Sequence, residues 1–173
     1  KTPFIGRLRA IHLNYLGAAL APFNAYLVLL GLETLSERLE KQMANTRAVI
    51  RYLEQNPHVA WVSHSEASGS PYAALAKKYF PKGAGAVLSF GLQGTEEQKR
   101  TLLAATRLFG YQANIGDVRS LIVNPAETTH VELTQEQRKW VGLTPNTIRL
   151  SLGLESANDL ITDLEQAFEA AFQ

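Results

Sequence analysis

Arg149 is the residue whose placement first suggests chemistry. It sits in Ile148-Arg149-Leu150-Ser151-Leu152, where apolar residues alternate with an arginine and a serine. In a strand, side chains point alternately to the two faces, so Ile148, Leu150 and Leu152 face one way and Arg149 and Ser151 the other. A planar guanidinium on a rigid element beside a hydroxyl can hold a carboxylate through two parallel hydrogen bonds. The same spacing also describes an arginine on a solvated sheet face, and spacing alone does not separate the two. A second candidate is the polar, glycine-containing loop Asn114-Ile115-Gly116-Asp117-Val118-Arg119-Ser120-Leu121, which runs into an apolar segment, the kind of place where binding residues collect. Asn124-Pro125-Ala126-Glu127-Thr128-Thr129-His130 follows the same segment, and its hydroxyls read first as turn-formers.

Other chemistries find less support. The histidines at 12, 58, 64 and 130 are scattered, with no i,i+4 pair carrying a glutamate between them, so no metal ligation is expected. No Gly-x-Ser-x-Gly elbow occurs, and Ser68-Gly69-Ser70 lacks a strand-to-helix setting. Gly83-Ala84-Gly85 is followed by a strand rather than a helix N-terminus, so a turn is expected there and not a phosphate cradle. Absence of cysteine removes disulfides, thiolate metal sites and thiol nucleophiles, and fits a reducing compartment. Seventeen basic against sixteen acidic residues leave a formal charge of +1, so neither nucleic acid nor an anionic membrane is expected as a partner.

These candidates need elements to hold them. The chain has 173 residues, 46% of them hydrophobic, which is one domain's length with material for a core. It opens Lys1-Thr2-Pro3, with no signal peptide expected, as though cut from something longer. The run from Leu16 to Leu32 is interrupted by Gly17, Pro22, Asn24 and Gly31 and is not expected to span a bilayer. Leu32, Leu35, Leu39, Met43, Thr46, Ile50 and Leu53 step by three or four, which predicts a long helix ended by Asn56-Pro57 and divided near Gly31. Strands are expected at 59–62, 86–90, 120–123 and 147–152. Ser70-Pro71 is expected to open a helix that closes near Phe80. Thr95-Glu96-Glu97-Gln98 and Thr134-Gln135-Glu136-Gln137 are capping boxes opening two more, and Ser156 is expected to cap the last. About five helices and four strands predict an α+β domain, one small sheet with helices mainly on one face.

Taken in order, these segments resemble one enzyme family. The matching stretches are Pro22-Phe23-Asn24-Ala25-Tyr26, Gly31-Leu32-Glu33-Thr34-Leu35, Ala76-Lys77-Lys78-Tyr79-Phe80-Pro81-Lys82-Gly83 and Val87-Leu88-Ser89-Phe90. Ser120-Leu121-Ile122, Pro125 with Thr128-Thr129-His130, Ile148 through Glu155 and Asp159-Leu160-Ile161 continue the match. The whole is similar to the C-terminal domain of the Cys/Met-metabolism pyridoxal-phosphate enzymes of fold type I. Within that family, Gly116-Asp117-Val118-Arg119-Ser120-Leu121 resembles the O-acetylhomoserine sulfhydrylases, where the γ-synthase and γ-lyase branches usually read Gly-Gly with glutamate before the serine.

The resemblance implies an α/β sandwich with a mainly antiparallel sheet, spanning 1–173 as one substrate-binding domain. Residues to about 55 would be a helical connection that packs on an absent pyridoxal-binding domain. It implies that Arg149 clamps the carboxylate of an amino-acid substrate and that Ser120 assists at the same group. The implied reaction expels the γ-acetoxy group of O-acetylhomoserine and adds sulfide (or methanethiol), giving homocysteine (or methionine). Alternatives are cystathionine γ-synthase, cystathionine or methionine γ-lyase, and, in another class, a non-catalytic assembly module. The family anchors pyridoxal phosphate on a lysine in a Ser-x-Thr-Lys setting. The lysines here, at 1, 41, 77, 78, 82, 99 and 139, are not in one. The expectation is therefore that pyridoxal phosphate serves the full-length parent, and that this chain alone binds none and is inactive. Homo-oligomerisation, as a family tetramer, and a cytoplasmic location are also implied.

Overall fold

The computed structural model describes residues 3–173. Two compact units divide the chain after Ser36. The first is helical. α1 (Phe4–Arg7), a π-helical stretch (Leu8–Leu13) and α2 (Asn14–Leu16) precede α3 (Pro22–Glu33). Pro22 occupies the first turn of α3, where its missing N–H costs nothing. None of these helices contains a buried residue. α4 (Leu35–Gln55) follows, and the break before it falls at Thr34 rather than near Gly31, which stays inside α3.

The second unit holds β1 (Val59–Ser63), α5 (Ala73–Tyr79), β2 (Val87–Leu92), α6 (Glu96–Ala105), β3 (Gly110–Tyr111) and β4 (Leu121–Val123). α7 (Gln135–Trp140), β5 (Thr147–Ser151) and α8 (Ala157–Phe172) complete it. The sheet order is β1-β2-β5-β4-β3, antiparallel except for the β3–β4 pair. The fold is the expected α+β arrangement with one more strand than the four anticipated. The addition, β3, is a two-residue parallel edge, too short to leave a period-two signal.

Alternation on β5 sorts the sheet into two faces. Leu150 pairs with Leu88 on one side and Ile122 on the other, and Ile148 pairs with Phe90. All are almost wholly buried, and they form one core with Val49 and Leu53 of α4, Leu102 of α6 and Leu164 and Phe168 of α8. The helices that make the core thus cover one face, as expected. Burying side chains of this size contributes roughly 1.5–3 kcal/mol each.

Both capping boxes form: the hydroxyls of Thr95 and Thr134 accept from the N–H of Gln98 and Gln137, whose side chains accept in return. Two other helix starts differ from expectation. Ser156 holds the N-cap position of α8 in extended backbone, but its side chain makes no capping bond. α5 begins at Ala73, and Ser70 instead accepts from the N–H of Tyr72 in the preceding turn.

Candidate functional site

Arg149 occupies the middle of β5, the central strand, on the face turned away from the helical core. Ser89 of β2 and Val123 of β4 lie directly opposite it. Its side chain is half-buried, and desolvation pulls its pKa below the usual arginine value. Arg47, Arg100 and Arg119 are ion-paired to Glu66, Glu96 and Asp117. The Arg149 guanidinium makes no hydrogen bond or ion pair with any described residue. Ser151, next on the same face, is 2% exposed, and its hydroxyl is also without a partner. A partly desolvated guanidinium on a rigid strand matches a carboxylate in charge and in hydrogen-bond direction.

Ser120 is placed otherwise. It immediately precedes β4, outside the paired register of β4 and β5. It is fully buried. Its hydroxyl donates to Glu155 Oε2 at 2.8 Å and accepts from the N–H of Gly153 at 2.8 Å, and its own N–H donates to Glu155 Oε1 at 2.8 Å. The one donor of that hydroxyl is used on Glu155, and through Glu155 and Gly153 Ser120 secures the loop ahead of β4.

The loop before Ser120 is built by its own short-range bonds. Asn114 Oδ1 accepts from the N–H of Ile115, and its Nδ2 donates to Asp117 Oδ2 at 3.2 Å. Gly116 takes φ 81°, a conformation that disfavours side chains. Asp117 accepts from the N–H of Arg119 at 3.0 Å and pairs with its guanidinium. These bonds, the backbone one first, pull the Asp117 carboxyl down to about 2. Two buried residues of α4 join in: Gln42 donates to the carbonyl of Asp117 at 2.7 Å, and Asn45 to those of Gly153 and Glu155 at 2.9 and 2.8 Å. Sequence reasoning missed Gln42, Asn45 and Glu155. The available signal was their phase: Gln42 and Asn45 fall beside Thr46 and Val49 on the buried side of α4.

The remaining candidates have structural partners. His58 stacks on Phe172 at 3.7 Å between centroids. His64 accepts from the N–H of Glu66, and burial pushes its pKa down. His130 contacts Thr129 Oγ1, and Thr128 donates to the carbonyl of Asn124. Gly83 closes a turn onto the carbonyl of Phe80. Among the described residues no group of His, Asp and Glu side chains is disposed to hold a metal, and no helix is long and apolar enough to cross a membrane.

The described lysines do not fit the covalent anchor of a carbonyl cofactor. Lys41, Lys77, Lys78, Lys82 and Lys139 are exposed. Lys99 is buried, but its ammonium donates to Glu96 and to the carbonyl of Pro145 at 2.7 Å. A Schiff-base lysine needs a free amine facing a cleft.

The site is thus a helix-backed, mainly antiparallel sheet that presents a guanidinium without a side-chain partner on the face away from the core. Residues 4–169 match the Cys/Met metabolism PLP-dependent enzymes, and the chain belongs to that family. It is 42% identical over 164 residues to O-acetyl-L-homoserine sulfhydrylase 1 of Thermus thermophilus, covering 95% of this chain and 39% of the relative. Its fold superposes with a TM-score of 0.89 on an O-acetylhomoserine (thiol)-lyase structure from Campylobacter jejuni that holds N'-pyridoxyl-lysine-5'-monophosphate, at 43% identity over 98% of this chain and 40% of that one. A cystathionine gamma synthase from Xanthomonas oryzae pv. oryzae, solved with cystathionine, gives a TM-score of 0.84 at 38% identity over 91% of this chain and 41% of that one. The chain spans about two fifths of the length of these relatives.

Proposed function

We propose that this chain is the substrate-binding C-terminal part of a pyridoxal-phosphate-dependent transferase that makes homocysteine from O-acetylhomoserine and sulfide, or methionine from methanethiol. The observation that carries the reading is the unpaired, half-buried guanidinium of Arg149 on the central strand. There it receives the substrate's α-carboxylate. Fixing that end of the substrate directs its amine and γ-substituent to one place, which converts binding into orientation. When bound, pyridoxal phosphate supplies the electron sink, and its lysine belongs to the remainder of the enzyme. Ser120 serves this site indirectly, through the loop it anchors.

The sulfhydrylase reading is supported by Asp117 and Arg119, which are paired in the loop, and by the relatives named above. The γ-synthase reading is favoured by the Xanthomonas likeness alone. Assaying the whole enzyme with O-acetylhomoserine plus sulfide, against cystathionine and methionine, tests the choice. Turnover of cystathionine or methionine without sulfide-dependent homocysteine formation would remove the sulfhydrylase assignment. The same reading extends to the partners. The exposed apolar residues Phe23, Tyr26 and Leu29 of α3 suit packing on the enzyme's own pyridoxal-binding domain, within a homo-oligomer located in the cytoplasm.

A further inference from the structure

β4 and β5 are hydrogen-bonded as a ladder only as far as Leu121 and Ser151. Beyond that point the two chains are held by side chains. Glu155 takes both the N–H and the O–H of Ser120, and the Ser120 oxygen takes the N–H of Gly153. One backbone bond, from Leu154 to the carbonyl of Val118 at 2.8 Å, lies between them. α4 grips the same junction from Gln42 and Asn45, 2% and 1% exposed, on the carbonyls of Asp117, Gly153 and Glu155. Gly153 has no room for a side chain: an added Cβ would overlap the carbonyl oxygen of Val118 and lie 2.5 Å from Glu155 Oε2.

Glu155 makes no ion pair among the described residues, so its carboxylate is held by N–H and O–H dipoles alone. Such a network adds little net stability compared with apolar packing, and what it adds is geometry. The geometry it fixes is specific. The ladder ends at Ser151, two residues or roughly 7 Å along the strand from Arg149 at about 3.4 Å per residue, and the clamp takes over from Gly153. On its other side it sets the path of residues 114–119, nearly all of them exposed.

We propose that Glu155, Gln42 and Asn45 are positioning residues that hold the 114–120 loop in register with the Arg149 strand, and so set the affinity for the carboxylate end of the amino-acid substrate. The proposal rests on the reading of Arg149 as the carboxylate clamp. A loop that drifts relative to β5 changes the surroundings of the strand that carries Arg149, so the effect is expected first on the substrate whose carboxylate Arg149 receives.

The test uses the whole enzyme loaded with pyridoxal phosphate. Glu155→Gln keeps the shape and turns one acceptor into a donor facing Ser120. The KM for O-acetylhomoserine is expected to rise about tenfold, with kcat, the KM for sulfide and the cofactor's visible spectrum changed less than about twofold. Gln42→Met removes only the donor to Asp117 and is expected to raise the same KM about threefold. It decides the matter alone should Glu155→Gln not accumulate as folded enzyme. The proposal is overturned by a wild-type KM for O-acetylhomoserine in the folded variants. It is equally overturned if both KM values rise together while kcat and cofactor content fall, as general loosening would produce. Arg149→Lys, run alongside, keeps the two readings apart. No change there removes the carboxylate clamp itself; a rise there with none in the other two removes only the positioning role.

Discussion

A guanidinium in bulk water loses little by lacking a partner, because water solvates it. One drawn halfway into a sheet face loses part of that solvation, and Arg149 recovers none of it from the residues around it. The deficit is what makes the site selective for an anion. A charge-assisted bidentate pair contributes roughly 1.5–3 kcal/mol, which converts to about 10- to 100-fold in affinity. Arg149→Lys keeps the charge and loses the fork, so in the whole enzyme the KM for the amino-acid substrate is expected to rise by about tenfold or more with the cofactor spectrum unchanged. Steady-state kinetics measure this directly. Asp117 supports a second expectation. Its folded value of about 2 lies below the ordinary 3.8, so its contribution is complete above pH 3.8 and is lost as pH falls through about 2. A carboxyl-carbon NMR titration should therefore show Asp117 still ionised at pH 3. A midpoint near 3.8 would mean that its bonds to the backbone of Arg119 are absent. Arg149 was legible in the sequence because alternation alone separates it from Ile148 and Leu150. The bonds of Ser120 were not, because Glu155 and Gly153 lie more than thirty residues from it along the chain.

At the scale of elements, local chemistry was readable and tertiary partnership was not. Thr95 and Thr134 announce their helices because both halves of a capping box lie within four residues. β3 left no signal, because two residues on a parallel edge exist only where β4 offers a partner. The helical stripe of α4 showed the same limit. Its first apolar positions, Leu35 and Leu39, remain exposed, while Gln42 and Asn45 are buried by their bonds to the junction after β5. Gly153 belongs to that junction, and its lack of space gives a prediction at this scale. Gly153→Ala forces a Cβ against the backbone of Val118 and Arg119, and overpacking of this kind costs about 1–3 kcal/mol. The denaturant midpoint of the whole enzyme should fall accordingly. Ala157, at the start of α8 outside this junction, serves as the control position, where Ala157→Ser should stay within about 0.5 kcal/mol of wild type.

For the molecule as a whole, charge and apolar surface point in different directions. Near-neutral charge gives no long-range steering toward a polyanion. The apolar surface is concentrated in the unit that ends at Ser36, where Phe4, Phe23, Tyr26, Leu29 and Leu30 are each about half exposed or more. Single exposed apolar residues are ordinary, but a run of them on helices without one buried residue is not how a free-standing surface is made. The second unit, from Glu37, has its own core, with Leu53, Phe90, Leu150 and Leu164 fully buried. The two therefore differ: the first leaves its apolar side chains uncovered, and the second carries a core of its own. Expressed without further sequence, the 173-residue chain is expected to bind an apolar fluorescent dye and to self-associate in light scattering. A version beginning at Glu37 should lose both properties and keep its cooperative unfolding transition. Neither should give a borohydride-sensitive visible band when pyridoxal phosphate is added, because no lysine of the sequence stands in a Ser-x-Thr-Lys setting. A clean monomer of the full chain without dye binding would show that the apolar helices find their cover within the chain, and would sink the assignment of that surface to the pyridoxal-binding domain.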